Sequence, residues 1–258
     1  MVTPIAGTGT PEQTWEAWPA PAAWPRLSVD AVSTPLVVAP HPDDEVLGVG
    51  GLLAMLAGGV GVGVGVGVGV GVDVGVDVVV VTDGEASHPR SRAVNPDELA
   101  TIRRAETVAA GAVLGVDSSR LHYLQHPDGG IDESVLVGEL CTYLVPGRWC
   151  FTTWRGDGHP DHETVGSAAA DACTQTGAVL VEFPVWMWHW AEPDDPHVPW
   201  NRARRIELTG EARTAKARAV NAFRSQIRPL GPDPADAAIL PPHVLVRFAR
   251  PYETVFVP

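Results

Sequence analysis

The stretch Val37–Gly51, VVAPHPDDEVLGVGG, decides the fold. It opens as a β-branched apolar run. It then turns polar within five residues, at His41, Pro42, Asp43, Asp44 and Glu45, and continues as the apolar segment VLGVGGLLAMLAGG. A buried strand, a polar turn and a helix opening directly from that turn make one unit of a parallel α/β sheet. The helix dipole favours carboxylates at its first turn. Burying three carboxylates and an imidazole is costly unless something partners them. The cluster therefore calls for a partner at the mouth of the strand.

The same alternation continues along the chain. VDVVVVTDGE reads as a second strand ending in a polar turn. NPDELATIRRAETVAAGAVLGV reads as a helix with a Pro-Asp-Glu start and a stop at Gly115. LHYLQHPDGG is a third strand with an Asp-Gly turn, ESVLVGELCTYLV a helix and WCFTTW a strand. HETVGSAAADACTQT is a helix and AVLVEFPVW a strand. This pattern predicts an α/β fold: a doubly wound, mostly parallel, Rossmann-like sheet with helices on both faces. Ligands of such sheets sit beyond the carboxyl ends of the strands, where every polar cluster noted here falls. The last section changes character. It reads as one helix over about Gly210–Gln226, followed by a small C-terminal β extension of two short strands in HVLVRFARPYETVFVP.

Residues 1–34 are rich in proline and carry Trp15, Trp18 and Trp24. They predict an ordered arm whose aromatic side chains pack on the body or line a groove. Residues 35–258 are expected to form a single domain. It is interrupted at 58–78 by a Gly-Val repeat that reads as a low-complexity insertion between the first helix and the second strand.

The chain of 258 residues carries a formal net charge of −13, which disfavours nucleic acid and anionic membrane surfaces as partners. Its three cysteines, Cys141, Cys150 and Cys173, form no CxxC pair and suit a reducing, cytoplasmic setting. No secretory signal or membrane-spanning segment is read from the sequence. The aromatic arm can serve a homo-oligomer interface.

A second motif, RGDGHPDHETVG (155–166), follows the strand WCFTTW. His41 and Asp44 lie three apart on the first turn, and His162 lies on the second. Two imidazoles and a carboxylate with open positions are the donor set of a catalytic zinc ion, with other divalent ions as substitutes. Asp43, beside Asp44, can take a proton from an attacking water. His159 can donate a hydrogen bond or a proton to a developing oxyanion. Asp161 can hold one of the histidines in the required tautomer.

APHPDDEVLGVGG and DGHPDHETVG resemble the two signature motifs of the LmbE-like / PIG-L family of zinc-dependent N-deacetylases, which act on amino-sugar conjugates. TDGEASHP, IRRAETVAAGAVLGV and LQHPDGGID extend the likeness over about Pro35–Val185, with weaker likeness in FRSQ and RFARPYE. The resemblance implies zinc at His41, Asp44 and His162, a general base at Asp43 and stabilisation of the tetrahedral intermediate by His159. It also implies that Arg103 lies near the sugar and that Asp128 binds sugar hydroxyls. The alternatives are a surface ion pair of Arg103 with Glu106, and a purely turn-forming Asp128. One departure is plain: Asp157 stands where some members carry a tyrosine, so a tyrosine contact to the oxyanion is not expected. Trp186, Trp188, Trp190 and Trp200 are candidates for sugar or acyl contact, and His189 reads as a packed or exposed histidine.

The expected reaction is removal of an acyl group, acetyl first, from a small amino-sugar conjugate. The alternatives are an amide of a thiol conjugate, an ester, or a sugar-binding protein that holds zinc without turnover.

Overall fold

The computed structural model describes residues 7–57 and 75–258. The Gly-Val interval 58–78 lies outside the described residues except for its last four positions. The final two of these, Asp77 and Val78, already belong to a strand.

The elements follow the expected alternation. A short helix α1 (Glu12–Glu16) precedes β1 (Leu36–Ala39), α2 (Asp44–Ala57), β2 (Asp77–Thr82) and α3 (Pro96–Leu114). Then come β3 (Leu121–His126), α4 (Glu133–Tyr143), β4 (Trp149–Thr153), α5 (Pro160–Thr176) and β5 (Val179–Phe183). The last part holds α6 (Met187–Trp190), β6 (Ala203–Glu207), α7 (Gly210–Val220), α8 (Arg224–Ile227), α9 (Pro242–Leu245) and β7 (Tyr252–Phe256). The strands form one sheet in the order β3-β2-β1-β4-β5-β7-β6. β1 to β5 are parallel, and β7 runs antiparallel to both β5 and β6.

Side-chain alternation along the strands sorts the core into two layers. Val37, Val78, Val80, Phe151 and Phe183 pack with residues of α2, α3 and α7. Leu36, Val38, Val79 and Val81 pack on the other face with Leu136 and Leu140 of α4 and Val165, Ala168 and Ala172 of α5. The central strands β1, β2 and β4 are buried on both faces, which is why they read as continuous apolar runs rather than alternating ones.

Local chemistry sets the helix ends. The Asn95 side chain accepts from Glu98 N, and Glu98 reaches back to Asn95 N, which starts α3 as a capping box; Gly115, at φ 84°, ends it. α2 departs from helical geometry at Val49 (φ −136°, ψ 21°). A buried ion pair satisfies backbone groups on both sides of that break. Lys216 Nζ donates to Leu47 O at 2.8 Å, and the Glu253 carboxylate accepts from Gly51 N at 2.7 Å and Leu52 N at 2.9 Å. Lys216 and Glu253 meet at 2.7 Å. Polar groups inserted beside a helical ladder are a known cause of such kinks.

Three expectations for the last section are corrected. RARRIE forms β6, the outer strand of the sheet, where no strand was expected. The helix expected over Gly210–Gln226 is two helices, because Phe223 leaves helical geometry (ψ 59°) and is buried while Gln226 turns toward a cavity. HVLVRF is helical rather than extended: Pro241 and Pro242 start α9, and the next turn buries Arg247. The Arg247 guanidinium donates to Thr8 O at 2.7 Å and Thr10 O at 2.9 Å. Only YETVF forms a strand there.

The tryptophan arm does pack on the body. Trp15 is buried against Trp188 with ring centres 5.0 Å apart, and its Nε1 donates to Trp188 O. Trp18 and Trp24 meet Trp200 at 4.8 and 5.7 Å. No described helix is long and apolar enough to cross a membrane.

Candidate active site

The sheet order changes direction between β1 and β4, the point at which doubly wound folds open a crevice beyond the strand ends. His41, Asp43 and Asp44 leave the end of β1. His159, Asp161 and His162 leave the end of β4, at the start of α5. A cavity of about 630 Å3 opens over them.

Three donor atoms converge on its floor. Asp44 Oδ2 lies 3.2 Å from His41 Nδ1 and 3.2 Å from His162 Nε2. His162 is fully buried, and its Nε2 makes no hydrogen bond despite that proximity. A buried ring nitrogen without a hydrogen bond is uncommon. Here its lone pair faces the same place as the Asp44 carboxylate and His41 Nδ1. Two imidazoles and a carboxylate are a donor set that a divalent ion such as zinc accepts, so the residues present fit the metal expected from the sequence.

The outer nitrogens of both imidazoles are held by carboxylates. His41 Nε2 lies 3.0 Å from Asp161 Oδ2 and 3.1 Å from Asp128 Oδ1. His162 Nδ1 lies 2.8 Å from Asp157 Oδ2. Asp157 carried no role in the sequence reading beyond replacing a tyrosine. Little in GDGHPDHE marks it, because besides His162 the partners of its carboxylate come from the turn after β5.

Asp43 sits at φ 117°, a region L-residues seldom occupy. Its amide donates to Glu45 Oε2 at 3.1 Å, and its Oδ2 accepts from Arg103 Nη2 at 3.1 Å. Arg103 also donates to Pro42 O and Gly84 O, so it clamps the turn after β1 to the turn after β2. It is only 3% exposed, and Glu106 turns away to Ser225, so the alternative surface ion pair between Arg103 and Glu106 is absent. Burial raises Asp43 to about 7, although the Arg103 charge opposes the shift. Burial also raises Glu45, to about 8. Asp44 moves the other way: burial pushes it up, but the charge of His162, joined by the hydrogen bond and charge of His41, holds it far below the ordinary range.

His159 caps α5, and its Nδ1 accepts from Asp161 N at 3.2 Å. The ring proton therefore sits on Nε2. Burial, reinforced by the positive charges of His162 and His41, lowers His159 to about 4 and keeps it neutral near pH 7. For His162, burial works downward but the charge of Asp44 and the hydrogen bond to Asp157 outweigh it, raising the group to about 9 without a metal.

All of the expected site residues but Asp161 line the cavity directly, and Asp161 touches His41 from behind. Asp128 bridges two roles in space: Oδ1 faces His41, and Oδ2 accepts from Ala86 N. Another wall of the cavity is apolar, and apart from Trp186 it was missed in the sequence. It comes from Val185 and Trp186 and from Ala235, Ala238, Ile239 and Leu240. The latter segment is a loop without periodicity, so no pattern in the sequence points to it. Of the candidate tryptophans only Trp186 reaches the cavity, while Trp188, Trp190 and Trp200 belong to the tryptophan cluster. His189 is buried beside Arg247 and does not line the cavity.

Residues 36–173, more than half of the chain, match the model of the PIG-L family, GlcNAc-PI de-N-acetylase. No curated protein matches the chain. Among solved structures, N,N'-diacetylchitobiose deacetylase from Pyrococcus horikoshii is similar at a TM-score of 0.57 and 22% identity, over 75% of this chain and 70% of that one. A deacetylase triple mutant from the teicoplanin biosynthetic pathway has a TM-score of 0.59 at 21% identity, over 86% of this chain and 96% of that one. GalB, the 4-carboxy-2-hydroxymuconate hydratase from Pseudomonas putida KT2440, has a TM-score of 0.56 at 18% identity, over 85% of this chain and 84% of that one. These likenesses establish the fold, and the hydratase among them means that the fold alone does not choose the reaction. The matched interval contains both histidine motifs and every donor atom on the cavity floor: the chain belongs to the PIG-L family of de-N-acetylases.

Proposed function

We propose that the protein is a metal-dependent hydrolase that removes an N-acyl group, acetyl first, from a small amino-sugar conjugate. The observation that carries this reading is the convergence of His41 Nδ1, Asp44 Oδ2 and His162 Nε2 on one point beside Asp43 at the floor of the cavity. His41, Asp44 and His162 hold the ion. Zinc in that position supplies Lewis-acid polarisation of an acyl carbonyl and a water acidic enough to lose its proton near neutral pH.

The chain's own groups do the rest. Asp43, fixed by Arg103, takes the proton from the attacking water through a carboxylate oxygen. His159 points its Nε2–H at the oxygen of the developing tetrahedral centre. Its Nδ1 already accepts a backbone hydrogen bond, so the ring has one proton and serves as a hydrogen-bond donor without releasing it. As the carbon–nitrogen bond breaks, Asp43 returns the proton to the amine nitrogen. The products are a free amine and a carboxylate. Asp161 and Asp128 orient His41 from behind, and Asp128 also lies where a sugar hydroxyl can reach it. Arg103 acts through Asp43: its Nη2 holds the Asp43 carboxylate and Pro42 O while its Nη1 holds Gly84 O.

The test is release of primary amine and acetate from a panel of N-acetylglucosaminides by the zinc-loaded protein, run beside Asp43→Ala. Turnover that collapses in the variant while zinc stays bound supports both the reaction and the base. An alcohol in place of the amine moves the reading to an ester, and zinc without turnover on any amide moves it to a binding role.

A further inference from the structure

The strongest polar feature that the mechanism leaves unused is Asp157. It is fully buried, and four nitrogens surround its carboxylate. Oδ1 accepts from Val185 N at 2.9 Å and Met187 N at 3.0 Å. Oδ2 accepts from Trp186 N at 2.9 Å and lies 2.8 Å from His162 Nδ1. On its other side, the main chain of Asp157 is held by Trp190, whose Nε1 donates to Asp157 O at 2.7 Å.

We infer that Asp157 is a positioning residue that fixes His162 as the Nδ1–H tautomer, turns its Nε2 lone pair toward Asp44 and His41, and ties that imidazole to the cavity wall at 185–187. The first clause follows from valence. Three of the four partners are backbone N–H groups, which can only donate, so the carboxylate is an acceptor throughout. The fourth contact is then a donation from His162 Nδ1, so in the neutral ring that a metal requires the unprotonated nitrogen is Nε2, the atom left without a hydrogen bond at the cavity floor. The same carboxylate orders the turn that carries Val185 and Trp186 into the cavity. One buried group thus sets both a donor to the ion and part of the surface that faces a substrate. The inference rests on the reading of His162 as a ligand.

An asparagine at this place has the right shape and the wrong donors. With its oxygen turned to His162 and Trp186, the amide NH2 faces two backbone N–H groups, of Val185 and Met187. With its oxygen turned to Val185 and Met187, the NH2 faces one backbone N–H and one ring nitrogen. That ring nitrogen can become an acceptor, so the second arrangement leaves fewer donors opposed. It drives His162 to the Nε2–H tautomer and removes its lone pair from the ion.

Two measurements test this. In the zinc-loaded wild-type protein, long-range proton–nitrogen spectra of the histidine rings should place the His162 proton on Nδ1, in slow exchange with water. Asp157→Asn should weaken zinc affinity by about 10–100-fold, the usual cost of losing such a partner, with the Nδ1–H signal gone. A His162 proton on Nε2 in the wild-type protein overturns the inference, whether or not the variant folds. So does a folded Asp157→Asn variant with wild-type zinc affinity. His162→Gln separates the two readings: if it loses zinc while Asp157→Asn keeps it, the metal site stands and the role of Asp157 falls. If His162→Gln keeps full affinity, the reading of His162 as a ligand falls and takes this inference with it.

Discussion

The two halves of the molecule are built to different rules. From β1 to α5 the chain runs strand, turn, helix, and its polar residues gather where strands end. The remaining parts, the arm at 7–34 and the segment after β5, share no such period. They hold a cluster of tryptophans, two antiparallel strands, short helices and the apolar wall of the cavity. The first half lies within the family match and supplies the groups able to do chemistry; most of the second lies outside it and supplies shape. On the function proposed above, the floor carries the reaction and the wall is the part placed to choose among substrates.

If this division is right, the largest loss comes from the first half. Asp43→Asn should reduce turnover by about 10²–10⁴-fold, the range expected of a general base, with zinc stoichiometry unchanged. Steady-state kinetics and metal analysis on the same preparation check it. A variant that keeps most of its activity breaks the division at its centre.

The next effect concerns stability alone. Trp15 is buried against Trp188, and Arg250 lies over the Trp188 ring 4.0 Å from its centre. Trp15→Ala should cost about 3–5 kcal/mol in a denaturant melt, as for other large buried aromatics. Zinc binding by the folded fraction should not change. Loss of zinc at low denaturant, before global unfolding, would show that arm and floor are one cooperative unit.

A smaller effect is expected at the wall. Ile239→Asp removes apolar surface worth about 1–2 kcal/mol to an apolar part of a bound substrate. That is roughly a tenfold rise in KM, with kcat and zinc affinity close to wild type. Kinetics on two conjugates, one with an alkyl group and one without, check it. Equal KM for both in wild type and variant would remove the wall from substrate choice.

The smallest effect lies far from the site. Asn95→Ala removes the cap of α3 and should cost about 1 kcal/mol, with no change in KM. Arg103 sits two turns further along that helix, so a change in turnover larger than the change in stability would show that the helix start sets the Asp43 clamp.

What was legible in the sequence follows the same division. β1, β2 and β4 are buried on both faces, so their residue types alone announce them, and the helices between carry caps and stops that act locally. The floor was legible because its donors sit within two short motifs. Asp157 was not, since three of its four partners lie about thirty residues away on the turn after β5. The wall was not, because a loop of alanine and proline becomes a surface only when α8 and the turn after β2 hold it there. HVLVRF was misread as extended for a related reason. Its β-branched residues favour a strand, but the two prolines before it and the burial of Arg247 beneath the arm settle it as helix. Tertiary contacts override local preference where the chain leaves its regular alternation.

The most direct test of the central claim is a titration of zinc into chelator-stripped protein while acetate release from an N-acetylglucosaminide is followed. Acetate release should be absent without metal, rise in proportion to added zinc and break at one equivalent per chain. Full turnover by the stripped protein, or a rate indifferent to zinc, would contradict it.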